Sequence, residues 1–246
     1  WVMNSIDKYM ILFFYGPGEE GVFAIATKIP LLINMVYQVF LMAWQISTVD
    51  EYQKEDSTDY FNRVYRLIMS GMFIFASAIL VIIKPFVLKF LSESYHESLQ
   101  YIPVLLLGAI FSCLAGYLGN FYATFKHTKG SLKTATVCAV VNVILNYVLM
   151  QLYGILGVAI ATMLSYVIIY VYRVKDTRKF VVLHTDFFRV IFSTGLIIIQ
   201  MIFVEEGSGL KLIAGTTIIC IAMLFLHKDV LFTIINGFTE KRKINI

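Results

Sequence analysis

The chain is built as a succession of apolar runs, and their lengths limit what it can fold into. Val64–Leu91, Leu99–Phe125, Thr134–Leu152, Ile155–Tyr172, Val190–Val204 and Leu210–Leu226 are apolar almost throughout, and Val190–Val204 is the shortest. A helix rises about 1.5 Å per residue, so about 20 apolar residues cross the roughly 30 Å of hydrocarbon in a bilayer. Inside lipid every backbone amide must find its partner within the protein, which favours helices over open strands. The composition agrees: 59% of residues are hydrophobic and 15% charged, where a soluble domain carries about a quarter charged residues. These features predict an all-α, polytopic membrane bundle of about eight helices, residues 1–226, with a basic tail over 227–246.

The segments between the runs alternate in kind. The connections 16–20, 92–98, 153–154 and 205–209 contain no Lys or Arg. The connections 48–63, 126–133 and 173–189, together with the tail, hold most of the basic residues. Lysine and arginine accumulate on the cytoplasmic side, so the basic set and the C-terminus are expected inside. Lys84, Pro85 and Lys89 mark the far end of the Val64–Leu91 span, where lysines are expected to snorkel to headgroups and Pro85 to kink or end the helix. Val230, Leu231, Phe232, Ile234, Ile235 and Phe238, followed by Lys241-Arg242-Lys243, are compatible with either an amphipathic helix on the inner surface or a simple solvated tail. The chain opens on Trp1 inside an already apolar segment. Its first helix therefore reads as truncated, and the chain as the C-terminal portion of a longer protein.

One span is unusual. Gly21–Ser47 is long and apolar, yet Thr27, Asn34, Gln38 and Gln45 fall near one meridian, with Lys28 beside them. Polar groups at membrane depth are expected to face protein or a wet cavity. The preceding segment carries Asp7 and Lys8, and Gly16-Pro17-Gly18-Glu19-Glu20 turns the chain between the two. Asp7 and Lys28 lie at similar depth, roughly 10–12 Å below that turn at ~1.5 Å per residue. They are candidates for an ion pair, either structural or part of a site for an anionic headgroup or a coupling ion. Lys8 can stand in for a partner in that pair. Asn142 and Asn146, one turn apart, read as interhelical packing groups, and Gly154 and Gly157 as turn and packing residues.

Motifs for catalysis are missing. HExxH, GxSxG, Walker A and GxGxxG do not occur. His96, His127, His184 and His227 are widely separated, sit in or beside loops, and read as interfacial residues without metal spacing. Cys113, Cys138 and Cys220 lie in apolar segments and read as packing residues. The expectation is a chain that is not an enzyme, uses no cofactor or metal and binds no nucleic acid.

Three stretches carry a resemblance. Asp7-Lys8-Tyr9 is followed by Gly21-Val22-Phe23-Ala24-Ile25-Ala26-Thr27-Lys28-Ile29. Phe40–Gln45 contains Ala43-Trp44. Asn142-Val143-Ile144-Leu145-Asn146-Tyr147 precedes Tyr153-Gly154-Ile155-Leu156-Gly157-Val158-Ala159-Ile160-Ala161-Thr162, the most specific of the three. Together they resemble the C-terminal part of the polysaccharide (lipid-linked oligosaccharide) flippases of the multidrug/oligosaccharidyl-lipid/polysaccharide exporter superfamily. Phe23 replaces a frequent Tyr, and no proline follows Trp44 as it commonly does there.

The resemblance implies the second half of a two-lobed transporter with 12–14 helices, in a bacterial or archaeal cytoplasmic membrane. It implies translocation of polyprenyl-(pyro)phosphate-linked oligosaccharide units by alternating access. The implied partners are that cargo, a preceding helical half, membrane lipids and other polysaccharide assembly proteins. Lys28, with Lys8, would meet the phosphate. Thr27, Asn34 and Gln38 would bond sugar hydroxyls, Gln45 would lie toward the cytoplasmic mouth, and Asp7 would act as a release switch on Lys28. The alternatives are a cation-coupled small-molecule antiporter, a membrane glycan polymerase or ligase, and a non-transporting assembly subunit.

Overall fold

The computed structural model describes residues 2–51, 57–181, 183–230 and 232. It is all-helical, with no strand among the described residues. In chain order the helices are α1 (Val2–Tyr15), α2 (Pro17–Glu51), α3 (Ser57–Phe90), a short 3-10 helix (Glu93–Gln100), α4 (Ile102–Thr124), α5 (Thr128–Asp176), a 3-10 turn (Thr177–Lys179), α6 (Phe187–Glu206) and α7 (Gly209–Leu226). Six of them are long and apolar enough to cross a membrane. The chain is therefore a polytopic helical bundle of the multi-pass membrane type.

α5 is two helices. Gly154 has φ 61° and ψ −141°, a region that side chains with a Cβ rarely enter. Contacts across this point pair residues in reverse order. Arg173 donates to Thr134, Cys138 to the Ser165 carbonyl, and Asn142 to Thr162. The two arms, 128–153 and 155–176, thus run antiparallel. A Cβ on Gly157 would lie 2.0 Å from the Leu149 carbonyl oxygen, so this residue too must be glycine for the arms to close. With α5 counted as its two arms and α1 included, the rods among the described residues number eight, as the apolar runs predict.

The connections are shorter than the sequence suggests, because polar residues continue the helices into water. Gly16, at φ 89°, alone turns α1 into α2. Pro17 follows at the first helical position, where its missing amide has no intrahelical partner to lose. α2 runs on to Glu51 and α3 starts at Ser57, which leaves little of the expected loop over 48–63. Pro85 does not end its helix: α3 passes through it to Phe90. Nor does Lys84 reach for headgroups. Its ammonium donates to the carbonyls of Val204 (2.8 Å), Glu205 (3.0 Å) and Gly207 (2.8 Å), capping the end of α6.

α4 is the core of the bundle: most of its residues are buried, whereas most of those of α6 and α7 are not. On one side it packs against α2 and α5, and α1 closes that group. On the other, α3 packs against α6 and α7. α7 ends at Leu226. His227 is fully buried, bonded to Ser70 of α3 at 2.8 Å and Ser193 of α6 at 3.0 Å, and so is not interfacial. Asp229 pairs with Arg189 at 2.7 Å. Of the apolar tail residues, Leu231, Ile234, Ile235 and Phe238 lie outside the described residues, as do Lys241, Arg242 and Lys243.

Candidate functional site

A polar cavity of about 130 Å³ opens between α1, α2, α4 and the second arm of α5. Asp7 and Lys8 come from α1; Thr27, Lys28 and Asn34 come from α2; Ser112 comes from α4; Thr162 and Tyr166 come from α5. Five residues that the sequence singles out therefore meet at one place. The cavity is graded in exposure. Lys28 is exposed, Lys8 half-buried and Asp7 only 3% exposed. A ligand entering from the open side meets a cation first and the carboxylate last.

Asp7 is held by neutral donors. Asn146 Nδ2 donates to its Oδ1 at 2.6 Å, and Thr162 Oγ1 to its Oδ2 at 2.6 Å. Asn146 Nδ2 also donates to Asn142 Oδ1 at 3.2 Å, and Asn142 Nδ2 reaches Thr162 Oγ1 at 3.4 Å. The four side chains form a closed ring, which clamps α1 to both arms of α5. A buried carboxylate is costly unless its oxygens are bonded, and here both are.

The expected ion pair is corrected by this arrangement. Among the described residues Asp7 and Lys28 form no salt bridge. They share the cavity without touching. Lys28 keeps its ammonium exposed at the end of a long stem, while Asp7 turns to the amide and hydroxyl that α5 presents. Asn142 and Asn146 do bond between helices, as expected of them, but their partners are Thr162 and Asp7 of the site. Thr162 and Tyr166 escape sequence reading because they sit across the Gly154 turn. The signal for Thr162 lies in the asparagines themselves: two amides on one face of an apolar helix require a polar partner.

The polar line of α2 divides. Thr27 and Asn34 reach the cavity, although each also donates to its own helix, Thr27 to the Ala24 carbonyl at 2.7 Å and Asn34 to the Pro30 carbonyl at 3.4 Å. Asn34 Oδ1 accepts the Cys113 thiol at 3.7 Å. Gln38 and Gln45 are exposed farther along the helix, outside the cavity. Trp44 is buried in an aromatic cluster with Tyr60, Phe61 and Tyr117, its ring 5.0 Å from that of Tyr117.

Chemically, the site offers two cations, a carboxylate, hydroxyls and an amide in a small open space within an apolar bundle. About 130 Å³ is well above the roughly 10–15 Å³ that a single water needs on the same measure, so the cavity has room for a small polar group with water. Among the described residues no group of His, Cys, Asp and Glu has the geometry of a metal site. In comparisons with known proteins, no family model, curated protein or solved structure matches the chain.

Proposed function

We propose that this bundle is one lobe of a membrane exporter that moves lipid-linked oligosaccharides from the inner to the outer leaflet. The observation that carries the reading is the convergence of Lys8, Lys28, Asp7, Thr27 and Asn34 on one cavity. A polyprenyl-(pyro)phosphate cargo has an anionic headgroup, a polar glycan and an apolar tail. Charge and glycan cannot cross bare hydrocarbon at a useful rate. In this reading Lys28 captures the phosphate at the open side and Lys8 supports it deeper in. Thr27 and Asn34 bond the first sugar or the bridging oxygens. The rest of the glycan occupies the space between this lobe and its counterpart, and the lipid tail stays in the bilayer. Rocking of one lobe against the other then exposes the cavity to each side in turn. Asp7 sets the far limit of the phosphate's approach by repulsion, which favours release.

One observation favours a second reading. Asp7 is a buried carboxylate bonded only to neutral donors. Such a group can take up and give off a proton or cation, as a cation-coupled small-molecule antiporter requires.

The two readings separate in the host. The gene is deleted and rescued with wild type, Lys28→Ala or Asp7→Asn, and lipid-linked oligosaccharide is assayed on each leaflet. The flippase reading expects inner-leaflet accumulation, relieved by wild type and not by Lys28→Ala. Normal surface polysaccharide in the deletion, without a redundant transporter, would sink it. Failure of Asp7→Asn to restore resistance to toxic small molecules would then support the antiporter.

A further inference from the structure

A second polar cavity lies at the other end of the α5 hairpin, where α4 hands over to the first arm and the second arm ends. It holds about 180 Å³ and is lined by His127, Lys129, Lys133 and Lys179, with Asp176 as its one acid. Asp176 is already engaged. Lys179 binds it at 2.9 Å and the Tyr122 hydroxyl donates to it at 2.5 Å. Lys179 is further held over the Phe180 ring at 5.0 Å. One of the three lysines is thereby neutralised.

Lys129 and Lys133 are not. They sit one turn apart on the first arm, both exposed, and neither forms an ion pair among the described residues. Like charges at this spacing repel, so the bare pocket favours an anion. The same face of the helix continues along the arm as Val137, Val140 and Ile144, all exposed and apolar. A cationic clamp thus opens directly onto an apolar stripe that runs toward the middle of the bundle.

That order, charge above and hydrocarbon below, matches one phospholipid lying on edge. We infer that this cavity binds the phosphate of an anionic phospholipid from the surrounding leaflet. Lys129 and Lys133 clasp the phosphate oxygens, His127 and Lys179 border the headgroup, and an acyl chain covers Val137, Val140 and Ile144. Asp176 does not oppose the anion, because Lys179 and Tyr122 already occupy its oxygens. The site is distinct from the Asp7 cavity, which is lined by none of these residues.

The test is lipid retention by the purified natural polypeptide. The protein is delipidated in detergent, then exposed to nanodiscs of phosphatidylglycerol or of phosphatidylcholine, and bound lipid is counted by native mass spectrometry. Wild type is expected to prefer phosphatidylglycerol by roughly tenfold, one decade in Kd. The Lys129→Ala/Lys133→Ala variant is expected to lose that preference and Lys129→Arg/Lys133→Arg to keep it. A control pair at the same end but outside the cavity, Lys175→Ala/Arg178→Ala, is expected to behave as wild type. Equal loss in both alanine pairs would reduce the effect to general surface charge and overturn the site. So would unchanged preference in Lys129→Ala/Lys133→Ala. Displacement of the lipid by inorganic phosphate alone would assign the pocket to a soluble anion and overturn the lipid.

Discussion

Thr162 holds one oxygen of Asp7 and Asn146 the other, at 2.6 Å each. Removing either donor strands a buried lone pair, which costs about 1–3 kcal/mol. Thr162→Val is therefore expected to lower thermal stability in detergent, although it conserves volume and adds no polar group. An unchanged melting temperature would mean that Asp7 finds another donor. His227 responds to pH for a related reason. Its two ring nitrogens meet Ser70 and Ser193 in a fully buried pocket. Burial pushes its pKa down to about 4; Arg189 acts in the same direction and Asp229 opposes it. An unfolded histidine titrates near 6.5. The unfolded chain thus takes up this proton first as pH falls. The stability contributed by the neutral ring is complete above about pH 6.5 and is lost progressively toward about pH 4. A pH series of melting temperatures is expected to show that slope, and His227→Gln to flatten it. The role of His227 is not legible in the sequence. A lone histidine after an apolar span carries no sign of two serines brought to it from distant helices. Charge alone likewise pairs Asp7 with Lys28, because neutral donors across a turn leave no charge signature.

At the scale of elements, the Gly154 hairpin is where sequence and structure agree best. Tyr-Gly between two apolar runs reads as a turn, and φ 61° with ψ −141° is what that turn requires. Gly154→Ala is expected to cost about 1–3 kcal/mol and to loosen the ring around Asp7, since Asn142 and Thr162 sit on opposite arms. Melting temperature reads the first effect and hydrogen exchange near Asn146 the second. Helix ends were less legible. Residues 48–51 and 173–176 look like loop because they are polar, but a helix leaving the membrane can keep its backbone bonds in water. Lys84 illustrates the same gap. Its place near the end of a span suggests snorkelling, yet all three of its donors cap carbonyls at the end of α6. Lys84→Met is expected to cost about 1–3 kcal/mol through those uncapped carbonyls, read as a lowered melting temperature. No change would show that water replaces the ammonium.

At the scale of the molecule, α4 joins two helical groups of different character. The α3–α6–α7 group is stapled internally, through Gln200 to Ser77 and Thr216 and through His227 to Ser70 and Ser193. The α1–α2–α5 group is stapled too, through the ring of Asp7, Asn146, Asn142 and Thr162, but it also encloses open space, with an exposed cation at the mouth and a buried carboxylate at the back. In the proposed transport reading this cavity receives the cargo's headgroup. That reading is tested most directly with the natural polypeptide in proteoliposomes, following a fluorescent polyprenyl-pyrophosphate oligosaccharide from one leaflet to the other. Wild type is expected to move it and Lys28→Arg to retain the activity. Lys28→Ala is expected to slow it by about tenfold or more, a loss of about 1.4 kcal/mol of headgroup binding, with an unchanged melting temperature. Movement by Lys28→Ala at the wild-type rate would contradict a cationic headgroup site, and no movement by wild type would contradict the flippase itself.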